Sequence, residues 1–120
     1  MQSRSYLFES ADIWNICALI AGSRGYAGMS LHGRIVAGAF ALPRVSFVPP
    51  DVAAGGKPRK QDAYVATWEM EELPGVVPLD DLAAGLAQAL RADPQRLAAH
   101  GARLARLCRE GCAQWIEWLS

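Results

Sequence analysis

Three side chains suited to binding an anion lie close together in this sequence, at Ser30, His32 and Arg34. A hydroxyl, an imidazole and a guanidinium can each hydrogen-bond a phosphate or a carboxylate, and imidazole also transfers protons near neutral pH. The residue types alone leave a second interpretation open. In that interpretation Ser30 only caps a helix, His32 bonds a nearby carbonyl and Arg34 is solvated.

The surrounding residues predict a strand, a helix and a second strand. Residues 26–29 are short and apolar, and Ser30 is a preferred N-cap. Apolar side chains then recur at helical spacing until Pro43 ends the helix, and residues 45–48 resume as a strand. A helix between two such strands makes them parallel, and parallel sheets bind ligands at the carboxyl ends of their strands. Ser30, His32 and Arg34 would lie at such an end.

The segment Ser30-Leu31-His32-Gly33-Arg34, the alanine-rich helix after it and the Leu42-Pro43 pair before a strand resemble the C-terminal half of polysaccharide pyruvyl transferases. That family carries Arg-Leu-His at the equivalent turn, so its Leu and His correspond to Leu31 and His32. This chain departs at the first position, where Ser30 stands in place of the arginine. Arg34, one helical turn later, is the candidate replacement.

The resemblance implies a transferase of polysaccharide biosynthesis, which moves a pyruvyl group from phosphoenolpyruvate to a sugar. It implies His32 as the acid, base or phosphate partner, with Ser30 and Arg34 holding the anionic donor. The family often has a lysine after the second strand, and the basic loop here offers Lys57 and Lys60. A surface loop with solvated lysines is the alternative. No cofactor is implied.

The resemblance also implies an α/β fold. We expect a three-layer Rossmann-like half-domain with a small parallel sheet and flanking helices, like the C-terminal half of a GT-B-type fold. In such enzymes the active cleft lies between two α/β halves. The 120 residues suffice for one half, so we expect a missing N-terminal half or a second copy to complete the site.

The rest of the chain predicts further α/β alternation. We expect a short strand at residues 6–8, a helix capped by Ser10, a helix over residues 61–72, an edge strand at 76–77 and a helix capped by Asp80. Asp93 and Pro94 are an N-cap followed by proline at the first helical position, which predicts a long helix over residues 94–119.

Two charged groups of residues have ordinary interpretations. Glu69, Glu71 and Glu72 read as a solvated helix face, although Glu69 could act as an acid or base. The last helix carries a basic side, which solubility explains and an anionic partner would also suit; its residues are Arg96, His100, Arg103, Arg106 and Arg109. Trp68 is expected in the core.

Composition excludes several classes of protein. The formal net charge of zero argues against nonspecific nucleic-acid binding. No apolar run reaches the about 18 residues that a membrane span needs, and the phosphate-binding G-x-G-x-x-G and Walker motifs are absent. Two histidines and three cysteines without ligand spacing predict no metal site. The cysteines are expected to be small buried residues in a reducing, cytoplasmic environment.

Two other functions compete with the enzymatic one. The first is a non-catalytic binding or dimerisation module of the same fold, forming a homodimer through the C-terminal helix, whose terminal Trp115 and Trp118 would be exposed in a monomer. The second is a protein that acts at a membrane surface through the basic side of that helix.

Overall fold

A computed structural model describes residues 4–53 and 59–120 of the chain. Helices and strands alternate through the first half, and two helices end the chain. The elements are α1 (Ile13–Ala21), β1 (Tyr26–Gly28), α2 (Leu31–Ala39), β2 (Arg44–Val48), α3 (Pro50–Ala53), α4 (Lys60–Trp68), β3 (Val76–Pro78), a 3-10 turn (Leu79–Asp81), α5 (Leu82–Leu90) and α6 (Pro94–Leu119).

The strands form a three-stranded parallel sheet with β2 in the centre. Tyr26 of β1 is paired with Arg44 of β2, and Ser46 of β2 is paired with Val76 of β3. The crossover helix α2 joins β1 to β2, as the sequence predicted, and α3 and α4 lie between β2 and β3. All three strands therefore end at the same edge of the sheet, which we call the carboxyl edge.

Helices cover both faces of this sheet. Val45 of β2 faces α5 so closely that a methyl group at Gly85 would come within 3.1 Å of Val45 Cγ2. The next residue, Ser46, accepts a hydrogen bond from Arg34 of α2. Because consecutive strand residues point to opposite faces, α5 and α2 lie on opposite sides of the sheet. The fold is a mixed α/β arrangement compatible with a Rossmann-like half-domain.

The apolar core is small, and much of the long helix lies outside it. Leu73, Ala89 and Leu97 form a buried cluster where the start of α6 meets α5. Asp93 caps α6 by accepting from the amide of Gln95 at 2.9 Å, and Pro94 occupies the first turn as predicted. From there α6 runs to Leu119, so its observed bounds match the predicted ones.

Several element boundaries differ from the predictions. Residues 6–8 form no strand, and α1 is capped by Asp12 rather than Ser10, its carboxylate accepting from Trp14 N at 2.8 Å. Helix α4 ends at Trp68, because residues 69–75 turn inward instead of continuing to residue 72. Residues 79–81 form a 3-10 turn, so Asp80 does not cap α5.

The expected burial of the cysteines is wrong for two of them. Cys17 on α1 is partly buried, whereas Cys108 and Cys112 are exposed on α6. The reason is that the second half of α6 extends past the residues that could cover it. Trp68, expected in the core, is 47% exposed.

Candidate anion-binding site

The turn from β1 into α2 presents His32 at the carboxyl edge. Ser30 caps the helix as predicted, because its Oγ accepts from the amide of Gly33 at 3.1 Å. The first amides of a helix have no partner within it and favour a negative charge. The His32 side chain is exposed in this same turn. An imidazole and outward-facing amides are therefore available together to an anion.

The Tyr26 side chain stabilises this turn. Its hydroxyl donates to the Ser30 carbonyl at 3.2 Å, and the same carbonyl accepts from the amide of Arg34 at 3.1 Å. Burial raises the pKa of Tyr26, so the phenol stays a donor. A Cβ at either Gly28 or Gly33 would overlap the ring. Both glycines thus allow the tyrosine to reach the turn.

A second helix begins beside the first. The Gln61 side chain contacts the Met29 carbonyl through Nε2, which places the first turn of α4 next to the β1–α2 turn. Lys60 is the first residue of α4 and is exposed. Lys60 therefore lies next to a residue that contacts the β1–α2 turn, which carries His32. Lys57, the other predicted lysine, lies outside the described residues.

Arg34 does not take part in this surface. Its side chain is fully buried, and its guanidinium donates inward: Nε to Glu69 at 2.9 Å, Nη1 to Ser46 Oγ at 3.1 Å and Nη2 to the Pro74 carbonyl at 2.9 Å. The prediction that Arg34 holds a bound anion in place of the family's arginine is therefore wrong. One helical turn after Ser30, position 34 faces the sheet rather than the carboxyl edge.

Glu69 is the centre of a buried ion network, not part of a solvated helix face. Its Oε2 accepts from both Arg34 Nε and Arg44 Nε at 2.9 Å, and its Oε1 accepts from Arg44 Nη2 at 2.6 Å. The amide of Met70 donates to it at 3.0 Å. The Glu69 side chain is 1% exposed. The network joins α2, β2 and the segment after α4.

Two guanidinium groups against one carboxylate set the charge state of the network. Desolvation by burial acts to raise the pKa of Glu69, but hydrogen bonds and attraction from Arg44, with lesser help from Met70 and Arg34, outweigh it. The pKa of Glu69 therefore lies below its usual value. Burial lowers the pKa of Arg34, yet an arginine stays charged. The network carries one net positive charge.

His100 of α6 approaches this network from the other side. Its Nε2 lies 3.8 Å from Glu69 Oε1, which is too far for a hydrogen bond. That nitrogen is buried and has no hydrogen-bond partner among the described residues. Beside it is an open cleft of about 460 Å³ with acidic and basic walls, lined by residues that include Glu71, Glu72, Arg96 and Arg103.

Sequence reasoning missed Arg44 and Gln61, and it considered Glu69 only as an acid or base or as part of a solvated helix face. The sequence carried one signal for Arg44, which begins a mostly apolar strand. A central strand is buried, and a buried charged residue almost always has a partner. No signal separated Glu69 from Glu71 and Glu72, which have the same side chain in the same acidic segment. Gln61 could be found only from the packing of α4 against the first turn.

Comparisons of the chain with protein-family models, with curated proteins and with solved structures give no match. Among residues 4–53 and 59–120, no group of three or more His, Cys, Asp or Glu side chains is placed to hold a metal ion. In the same described part of the chain, no helix combines the length and the apolar character needed to cross a membrane.

Replacing Gly33 by alanine tests the role of Tyr26 in the turn. The new Cβ would overlap the phenol, which costs about 1–3 kcal/mol. Alanine in a helix gains about 1 kcal/mol over glycine, so we expect a net loss of up to about 2 kcal/mol in the free energy of unfolding. Urea denaturation measures it. The double variant Gly33→Ala with Tyr26→Ala removes the clash and should be less destabilised than the sum of the single variants. Strict additivity would contradict the proposed contact.

Replacing Glu69 by glutamine tests the ion network. Two buried guanidinium groups would lose their counter-charge, so we expect a loss of about 3 kcal/mol or more at pH 7. The exposed neighbour Glu71→Gln is the matched control, with an expected change within about 0.5 kcal/mol. Equal effects of the two substitutions in urea denaturation would contradict the network's importance.

The network also predicts how stability depends on pH. The folded-state pKa of Glu69 lies below the unfolded one, so its contribution is fully present above the unfolded pKa. It is lost as the pH falls through the folded value. Urea denaturation from pH 7 downward should therefore show an acid-induced loss of stability that is smaller in Glu69→Gln. The same pH dependence in both proteins would contradict the assignment.

Proposed function

We propose that this chain is a polysaccharide pyruvyl transferase-like domain that binds an anionic donor of the phosphoenolpyruvate type at the carboxyl edge of its sheet. One observation carries the proposal: His32 is exposed in the first turn of the helix that directly follows a parallel strand. Parallel sheets bind ligands at this position. The Ser30-Leu31-His32-Gly33 segment, on which the family resemblance depends, forms that turn.

The corrected geometry changes the roles of the motif residues. In the proposal His32 and the first amides of α2 contact the donor's phosphate or carboxylate, and Lys60 adds a positive charge. Ser30 shapes the turn through its bond to Gly33. Arg34 supports the turn from inside and does not touch the donor. Lys57 remains a candidate contact outside the described residues.

The proposed chemistry follows from the donor. Pyruvyl transfer begins with protonation of the methylene carbon of the enol, and sugar hydroxyls then attack the resulting cation while phosphate leaves. An imidazole suits the proton transfer because its pKa lies nearest neutrality. We propose that the fold corresponds to the C-terminal half of a GT-B-type arrangement in the cytoplasm. The sugar would then contact a second half-domain or a second copy.

A specific observation favours a second function, a non-catalytic binding module of the same fold. The family's motif arginine is replaced by Ser30, and the candidate replacement Arg34 is buried. The turn therefore presents one ionisable side chain of the motif instead of two. In this alternative the domain binds an anion at His32 without transferring a group from it.

Titration with phosphoenolpyruvate, observed through the imidazole resonances, tests the proposal. The chain has only two histidines, so the variants His32→Gln and His100→Gln assign the signals and serve as a matched pair. We expect the donor to shift the His32 resonances and leave those of His100 unchanged. His32→Gln should weaken binding at least about tenfold, as expected for loss of a hydrogen bond to a charged group. A shift confined to His100, or none at millimolar donor, would contradict the proposal.

Two further measurements separate catalysis from binding. Inorganic phosphate in the same titration shows whether the carboxylate and enol of the donor contribute to affinity. Phosphate release from phosphoenolpyruvate in the presence of a sugar nucleotide shows whether transfer occurs. Binding at His32 with no phosphate release by the chain would support the non-catalytic module.

A further inference from the structure

The apolar side of α6 continues without a break from the body of the protein into solvent. Its first part is covered: Leu97 is buried, and a Cβ at Gly101 would lie 3.3 Å from the Gly38 carbonyl of α2. Further along the helix the same side is exposed. Uncharged residues recur at alternating spacings of four and three, the repeat of helices that pair along one seam. The seam comprises Leu97, Gly101, Leu104, Cys108, Gly111, Trp115 and Trp118.

The exposed part of this seam carries large apolar side chains. Trp115 is 66% exposed and Trp118 is 80% exposed, and Ile116 and Leu119 are similarly open. A tryptophan can bury about 150–250 Å². The two tryptophans of each copy give roughly 600–1,000 Å² over both copies, and Leu119 beside them brings the total to about 1,000 Å², the lower limit for a specific interface. The adjoining groove adds to that area.

This groove lies where α2, α4 and α6 meet, next to the exposed seam. It has a volume of about 620 Å³ and almost wholly apolar walls, which include Ile35, Trp68, Leu104, Leu107 and Cys108. The groove and the exposed half of α6 form one continuous apolar surface, because Leu104 and Cys108 belong to both.

The fold of a single copy gives no reason for a glycine at position 111. A Cβ at this position would meet nothing within 4 Å. Glycine inside a helix costs about 1 kcal/mol relative to alanine. A glycine does let a second helix or a large side chain approach the backbone closely. Its place in the middle of the exposed seam indicates such an approach.

We propose that two copies of this chain pair through their α6 helices in antiparallel orientation. One register pairs the exposed part of the seam, from Cys108 to Trp118. It sets Trp115 of the second copy against Gly111, so that a large side chain fills the space that the glycine leaves. It also sets Trp118 of the second copy beside Cys108, at the end of the apolar groove.

Side-chain size along the seam favours the antiparallel orientation. Parallel pairing in register would set Trp115 against Trp115 and Gly111 against Gly111, so the space beside the glycine would stay unfilled. The symmetry of the antiparallel pair forms the contact of Trp115 with Gly111 twice. This pairing does not depend on the proposed donor binding at His32.

Sedimentation equilibrium of the full chain tests the proposal with a matched pair of tryptophans. Trp118 on α6 and Trp14 on α1 are almost equally exposed, at 80% and 78%. Neither substitution should affect folding, which circular dichroism can verify. We expect a dimer below about 100 µM, with Trp118→Ala raising the dissociation constant about 30-fold, as for an interface hot spot. Trp14→Ala should change it less than threefold.

A monomeric wild-type chain at that concentration would overturn the proposal and leave this surface to a different protein segment. Equal weakening by Trp14→Ala and Trp118→Ala would overturn it as well. A dimer that survives Trp118→Ala unchanged would show that the copies pair elsewhere.

Gly111→Ala gives a test in which the two possibilities predict opposite results. If α6 stays alone, the alanine stabilises the helix and association does not change. If Trp115 of a second copy occupies this space, the added methyl group weakens the dimer, and we expect a dissociation constant raised about tenfold. Unchanged or tighter association would overturn the proposed register.

Discussion

The described structure depends on the carboxylate of Glu69, which balances two guanidinium groups inside the protein. Removing an ion from water costs several kcal/mol, and only close partners with good geometry offset that cost. Here Arg44 donates twice to the carboxylate and Arg34 once, while the Met70 amide donates a further bond. The network fixes how α2 lies over the central strand. The small apolar core of Leu73, Ala89 and Leu97 packs against Met70, the residue that follows Glu69.

The ion network limits which side chains can contact a ligand, because it occupies Arg34. Arg34 has the residue type and sequence position of an anion contact, but its side chain supports the fold. The carboxyl edge keeps His32, the first amides of α2 and Lys60. In the proposed site these groups would recognise an anion chiefly by its charge, whereas an arginine that donates two parallel hydrogen bonds would also select its shape. The proposed site is therefore open and is built mainly from backbone groups.

The sequence predicted the elements governed by local rules. Ser30 caps α2 because its hydroxyl reaches the Gly33 amide, and Asp93 with Pro94 begins α6. The parallel sheet followed from the strand–helix–strand spacing. The signals for Ser10 and Asp80 as caps were of the same kind but weaker, because neighbouring aspartates could serve the same ends. Local rules thus gave the elements from α1 to α6 in order except α3, while the strand predicted at residues 6–8 is absent.

The predictions failed where distant segments meet. Whether Arg34 faces a ligand or the interior depends on Glu69, which is 35 residues away. The exposure of Cys108 and Cys112 depends on how far α6 extends past its neighbours. The contact of Gln61 with Met29 likewise joins residues far apart in the chain. Residue types and periodicity carry no information on such pairings.

The position of Glu69 along the chain has a consequence for how the protein folds. Both arginines precede it in the sequence, in α2 and β2, so the first two strands and their crossover helix do not contain the carboxylate that neutralises them. Without Glu69, the two guanidinium groups would repel each other between α2 and the sheet. We expect the strand–helix–strand unit to be unstable by itself and to form in one cooperative step with residues 69–75. Its folding is tied to long-range contacts, which slow the search for the native state.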